Sequence, residues 1–304
     1  MKRASRVVPS QVTTFGEGPV KRGLPAFRMV SRCAAVAIAL STATAESWAG
    51  SIFVSGHDSD FHASQGPNAI GARDIINDAL TFTRNGNGAP ILFIQSNTSN
   101  IGLGDHVDSA LGLQASGYTA GNIAGNHYVT VNATNFLTTD LSLYSAIFVP
   151  SDHGGTLTGD DLQALNSRAA DIVAYLNAGG GLVAFAEDGD RVPASVGPQP
   201  TNFGFLPFLV TSAALSIFEG NNQLTAFGSS LGLTVNDING NFSHNIFTST
   251  GGMNVVDMFA NGQILSLAYR GEISTGGVVP EPGSLALLGL GVAGIALSRR
   301  KRAT

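Results

Sequence analysis

The sequence predicts an α/β fold of three layers, with helices on both faces of a mostly parallel sheet, followed by a single C-terminal transmembrane helix. Three observations carry this expectation. Short apolar runs alternate with segments of helical periodicity from residue 50 to about residue 190, and strands buried on both faces read as such continuous runs. The chain has 304 residues of which 12% are charged, long enough for a sizeable core and too apolar for a disordered chain. Near the C-terminus an uncharged stretch from Ser284 to Leu297 leads into a basic cluster.

The elements follow in order. Ile52-Phe53-Val54 reads as a first strand, and Ala72, Ile76, Ala79 and Leu80 mark one face of a helix from about 68 to 83. Ile91-Leu92-Phe93-Ile94 is a second buried strand, 105–113 a short helix and Tyr128-Val129-Thr130-Val131 a modest strand. Ala146-Ile147-Phe148-Val149 is the third strong strand. Thr158-Gly159-Asp160-Asp161 fits a capping box, after which Leu162, Leu165, Ala169, Ile172, Val173 and Leu176 repeat at helical spacing. Gly179-Gly180-Gly181 ends that helix, and Leu182-Val183-Ala184-Phe185-Ala186 is a fourth apolar strand. Beyond Asp190 the pattern thins to a helix near 223–231 and strands near 255–259 and 264–269. Residues 50–273 therefore form one domain.

The two ends read as addresses. Met29-Val30-Ser31-Arg32 precedes the apolar run Cys33 to Leu40, and Ser47-Trp48-Ala49 is a small-residue exit before Gly50. A basic start, short apolar run and A-x-A-like exit make a secretory signal, with cleavage between Ala49 and Gly50 by a signal peptidase after Sec-type export. Residues 1–49 are then an N-terminal extension plus signal, and Met29 offers a start that gives the signal ordinary length. Cys33 is the chain's single cysteine, so the exported protein has no disulfide and no thiol nucleophile. A linker at 274–279 leads to Pro280-Glu281-Pro282, a transmembrane segment at 284–298, and Arg299-Arg300-Lys301-Arg302. The basic cluster suits the cytoplasmic side of a membrane. This tail over 280–304 resembles the PEP-CTERM sorting signal, whose processing enzyme in exopolysaccharide-producing Gram-negative bacteria is exosortase. The resemblance implies a transient inner-membrane anchor, cleaved near Pro280-Glu281-Pro282, and a destination at the cell surface or in the extracellular matrix, with exopolysaccharide as a neighbour.

Export changes the charge. The whole chain is at −5, yet residues 50–278 hold five arginines, no lysine and 18 acids, a net of −13. Such a domain lacks the basic face that nucleic-acid binding requires, and without lysine no P-loop is present.

The stretch from Tyr144 to Asp190 carries a second resemblance. A strand, an Asp152-His153-Gly154-Gly155 loop, a capped helix ending in Asn177-Ala178-Gly179-Gly180-Gly181 and a strand entering a tight turn are similar to the class I glutamine amidotransferase-like (flavodoxin-like) fold. In that family the turn is a nucleophile elbow with a cysteine between glycines. Here it reads Ala186-Glu187-Asp188-Gly189, so the resemblance implies a catalytically degenerate domain that binds a ligand or partner. Glu187, at the elbow, and His244, late in the domain where the family carries its general base, are the catalytic candidates it leaves. A Ser-His-Asp arrangement using Ser151 or Ser243 has no G-x-S-x-G elbow behind it.

In a parallel α/β sheet, ligands bind beyond the carboxyl ends of the strands. Three such ends are rich in donors: His57-Asp58-Ser59-Asp60-Phe61-His62, Ser151-Asp152-His153 and Glu187-Asp188-Gly189-Asp190. They suggest a divalent metal held by His57, Asp58, Asp152, His153 and Glu187; imidazole with carboxylate suits Zn, Mn or Fe(II), an all-carboxylate subset Ca. Of the two histidines in the first loop, His57 lies nearer the strand and is the expected ligand. The same residue types also cap helices and close turns, as Asx turns at Asp58 and Asp60 would. Two functional classes follow: a non-catalytic binding protein of the surface or matrix, and a metal-assisted hydrolase acting on envelope or exopolysaccharide material.

Overall fold

The computed structural model describes residues 50–97 and 106–273. In chain order it runs β1 (Gly50–Ser55), α1 (Ser59–Gln65), α2 (Ala69–Arg84), β2 (Ile91–Ile94), α3 (Ala110–Ala115), β3 (Thr119–Ala120), β4 (His127–Val131), α4 (Ala133–Phe136), a 3-10 turn (Leu141–Leu143) and β5 (Ala146–Val149). It continues with α5 (Gly159–Ser167), α6 (Ala169–Asn177), β6 (Gly181–Ala184), β7 (Thr211–Phe218), β8 (Gln223–Leu224), α7 (Ala226–Ser230), β9 (Phe242–Ser249), β10 (Asn254–Met258) and β11 (Ile264–Gly271).

These strands form an 11-stranded mixed sheet. Its first half, β3-β4-β2-β5-β6-β1, is parallel throughout. The second half begins where β11 runs antiparallel along the whole of β1, from Gly50↔Gly271 to Ser55↔Ser266. β10 and β8 extend that wing, and β9 meets β11 at Phe247 while carrying β7 on its other edge. The sheet is thus half parallel rather than mostly so, the difference lying in residues 211–271, whose strands are less apolar than those before them.

Alternation along the parallel strands builds two cores. Ile52, Val54, Leu92, Ile94, Ile147, Val149, Leu182 and Ala184 face α5 and α6, packing on Leu162, Leu165, Ile172 and Leu176. Phe53, Ile91, Phe93, Phe148, Val183 and Phe185 face α2 and α3, packing on Ile75, Ile76, Ala79, Leu80 and Leu113. Every residue of β1, β2, β5 and β6 is buried, which is why these strands stand out in the sequence as unbroken apolar runs.

Several boundaries differ from expectation for physical reasons. The helix expected through 158–176 keeps its capping box, with Thr158 and Asp161 bonded reciprocally, but divides at Arg168. There the guanidinium reaches the carbonyls of Phe136 at 2.6 Å and Thr139 at 2.9 Å, while the apolar stripe continues across the break. The 223–231 segment is a short strand, a Thr225 cap and one turn of helix. The 57–62 segment expected as a loop contains α1, and β7 and β9 lie where no strand was expected. The signal at 1–49, the linker and the expected transmembrane segment at 284–298 lie outside the described residues. Among the described residues no helix is long and apolar enough to cross a membrane.

The five arginines share one habit. Arg73 donates to the Ala63 carbonyl, Arg84 to Ala89 and Gly125, Arg168 to Phe136 and Thr139, Arg191 to Pro200 and Arg270 to Phe82. Each therefore ties loops or element ends together.

Asp74 and Asp78, one turn apart on α2, face Asp237 with no basic group among the causes of their shifts. Burial, then the charges of Asp237 and Asp74, lift Asp78 to about 6. A carboxyl whose pKa is higher folded than unfolded favours folding as the protonated acid, and that contribution is lost as pH rises through about 6. Asp78→Asn is expected to raise the urea midpoint at pH 7, with the gain over wild type shrinking to nothing by about pH 4. Denaturation across that range checks it.

Candidate functional site

The register of the sheet decides where the three donor-rich loops begin. Ala184 of β6 is paired with Val54 of β1 on one side and Val149 of β5 on the other, so all three strands end side by side. Backbone bonds prolong the ladder into the loops: Ala186 N donates to the His57 carbonyl at 3.3 Å, and Asp152 N to Ala186 at 2.8 Å. β9 then crosses over this edge, with Ser243 bridged to His57 and His244 N donating to the Gly56 carbonyl at 2.8 Å. The segment 241–245 is mostly a buried strand.

His57 is fully engaged by the antiparallel wing. Its Nδ1 lies 2.5 Å from Glu219 Oε1 and its Nε2 2.9 Å from Asp257 Oδ2. Burial alone pulls its pKa down, but the two carboxylates outweigh that and raise it well above the usual value. Both ring nitrogens are committed, so this imidazole is a buried ionic rivet that ties the end of β1 to Glu219, just past β7, and to Asp257 in β10. Asp152 is likewise turned inward. It accepts from the backbone N–H groups of Asp188 at 2.8 Å and Gly189 at 2.9 Å and pairs with Arg191. Burial and the Asp188 charge push its pKa up while Arg191 opposes them. Glu187 accepts from Phe203 N at 2.6 Å, and burial lifts its pKa well above the carboxylate range. Phe203 holds a left-handed φ of 53° there, a conformation unusual for a bulky side chain.

Asp58 and His153 each stand beside His244, in two donor groups that share it and that also hold His62 and Asp188. One donor atom each from Asp58, His62 and His244 lies within 4.8 Å of the others, and the same holds for His153, Asp188 and His244. Asp58 Oδ2 is 3.8 Å from His244 Nε2. His153 stacks flat on His244, with ring centroids 3.6 Å apart and planes 16° from parallel, and its Nδ1 is 3.0 Å from Asp188 Oδ2. That bond holds Asp188 below its usual pKa against the opposing effect of burial. His62 thus replaces His57 as the histidine near Asp58. The signal for it was present: Asp58 immediately precedes α1, and His62 follows four residues later, its N–H donating to the Asp58 carbonyl at 3.0 Å. Glu219 and Asp257 were missed because nothing local marks them.

Of the two serines, Ser243 does stand by a histidine, its Oγ 3.3 Å from His57 Nδ1, but its shorter bond is to a carboxylate. Ser151 Oγ donates to Asp58 at 2.6 Å and Ser243 Oγ to Glu219 at 2.8 Å, so both hydroxyls serve carboxylates. His106, buried, donates from Nε2 to the carbonyls of Asp152 and Asp190 at 2.8 and 3.2 Å, a structural clasp between two of the loops.

The comparisons with known proteins act on the tail. A model of the PEP-CTERM protein-sorting motif matches residues 278–301, which include Pro280-Glu281-Pro282, Arg299, Arg300 and Lys301. The motif supports an exported protein that is sorted by exosortase and processed at the membrane. No curated protein and no solved structure matches the chain, so these comparisons lend the amidotransferase-like resemblance no support.

His57→Gln leaves Glu219 and Asp257 buried without their cation. It is expected to cost about 3–5 kcal/mol, read from urea denaturation. Adding Glu219→Gln and Asp257→Asn to that variant should recover much of the loss, because the uncompensated charges are then gone.

Proposed function

We propose that the chain is an exported, exosortase-sorted protein of the cell surface or matrix whose α/β domain, of degenerate amidotransferase-like character, binds a ligand or partner without turnover. The observation that carries this is Glu187 at the elbow position. Its carboxyl is wholly buried and bonded to Phe203 N–H, and residues 50–304 contain no cysteine to stand in for the nucleophile. A carboxyl engaged in this way is in no position to attack a substrate. The alternative, a metal-assisted hydrolase of exopolysaccharide, draws less support, since the histidine–carboxylate cluster is too enclosed to admit a polymer: Asp58, His62 and His244 are 1, 6 and 5% exposed.

In this reading Sec-type export and signal peptidase release Gly50 as the new N-terminus, and the tail holds the protein in the inner membrane until exosortase acts. The test is fractionation and mass spectrometry of the protein in a host with and without exosortase. With the enzyme present, the recovered chain should begin at Gly50, lack the residues after the Pro280-Glu281-Pro282 region and leave the membrane fraction. Replacing Pro280, Glu281 and Pro282 by alanine should hold it in the membrane at full tail length. The purified protein should hydrolyse no glutamine.

A further inference from the structure

We propose that Asp58, His62 and His244 form a binding site for one divalent cation of the zinc class. This rests on the ligand-binding reading above and names the ligand of that site. Donors about 2.0–2.2 Å from a tetrahedral ion sit roughly 3.4 Å from one another. The 3.8 Å between Asp58 Oδ2 and His244 Nε2 is within a few tenths of an ångström of that spacing, and the third donor lies within 4.8 Å of both. Two imidazoles with one carboxylate select Zn²⁺, or Co²⁺ and Mn²⁺ as substitutes, over Ca²⁺, which prefers oxygen alone.

The surroundings are built to present these atoms. Ser151 Oγ–H donates to Asp58 Oδ1 at 2.6 Å, which fixes the carboxylate and leaves Oδ2 turned toward His244, the kind of outer support that orients metal ligands. The loop passing over Oδ2 is Gly154, at φ 68°. A β-carbon there would lie 2.3 Å from Oδ2, so only glycine lets the loop pass this close to the carboxylate. Phe242 N–H donates to His62 Nε2 at 3.3 Å, a long bond that a metal–nitrogen bond outweighs if Nε2 is the donor.

Geometry also decides between the two groups that share His244. A metal lies in the plane of each imidazole that binds it, and two rings stacked flat at 3.6 Å cannot both aim a lone pair at one ion. His153 Nδ1 is moreover turned to Asp188 at 3.0 Å and Asp190 at 3.3 Å. His153 therefore lies over His244 as a cover, and Asp58, His62 and His244 are the ligands.

The experiment uses the full chain carrying Cys33→Ser, so that no thiol competes, freed of metal by chelation and titrated with Zn²⁺ and with Co²⁺. One equivalent should bind, with the Co²⁺ visible spectrum of a tetrahedral nitrogen–oxygen site and a rise in Tm. Asp58→Asn and His244→Ala should weaken binding at least 100-fold, and Ser151→Ala about 10- to 100-fold, while His153→Ala still binds one equivalent. Asp58→Asn preserves shape, and its urea midpoint in the absence of metal separates lost ligation from lost folding. Absence of stoichiometric binding overturns the proposal, as does binding indifferent to Asp58→Asn and His244→Ala, or binding abolished by His153→Ala. If no metal binds while export and tail processing proceed as above, this inference falls and the sorted-protein reading stands.

Discussion

The structure depends on β1 being paired along both edges. On one side it continues the parallel stack through β6; on the other it lies antiparallel to β11 over six residue pairs. All six of its residues are buried, so a register slip would turn its apolar residues to the wrong core on both sides at once. That single strand joins the helix-covered parallel half to the antiparallel wing. Without it, the loops after β5 and β6 would still be adjacent, but β9 would have no fixed place above them and His244 no neighbours.

The buried ion group at His57 reinforces the same seam. Placing two carboxylates and an imidazole in a core is costly, and an apolar substitute of equal shape is often as stable. What the group provides is alignment. Glu219 follows β7, Asp257 is in β10 and His57 follows β1, and their mutual distances of 2.5 and 2.9 Å are met only when the wing is docked in one position. The donor cluster nearby inherits that alignment, since His244 is one residue from Ser243, which itself bonds Glu219.

Much of this was readable before any coordinates. β1, β2, β5 and β6 are apolar runs because burial on both faces leaves no room for polar residues, and the capping box at Thr158 is written in adjacent letters. β9 was illegible for the opposite reason: Ser243, His244 and Asn245 are buried polar residues whose partners, Glu219, Gly56 and Glu187, lie far away in sequence. α1 has two turns, too few for a period to show. At the site, the three loops were correctly placed together by the rule of strand ends, but the choice among side chains was not. Nearness to the strand favoured His57, whereas direction mattered: His57 points into the wing, and Asp152 and Glu187 turn back onto backbone N–H groups. Among the residues nominated for metal, Asp58 and His153 lie in the two donor groups.

The arginines have a consequence beyond stitching loops. Because all five bond the protein's own carbonyl groups, the domain has little mobile positive charge to offer a neighbour, while acids such as Asp160, Asp171 and Asp190 remain at least partly open to solvent. In colloidal terms it is a like-charged particle. Two copies brought close together repel each other at a range set by the Debye length, about 8 Å at physiological salt. That repulsion weakens as ionic strength or multivalent counterions increase, so the surrounding medium sets how closely two copies can approach.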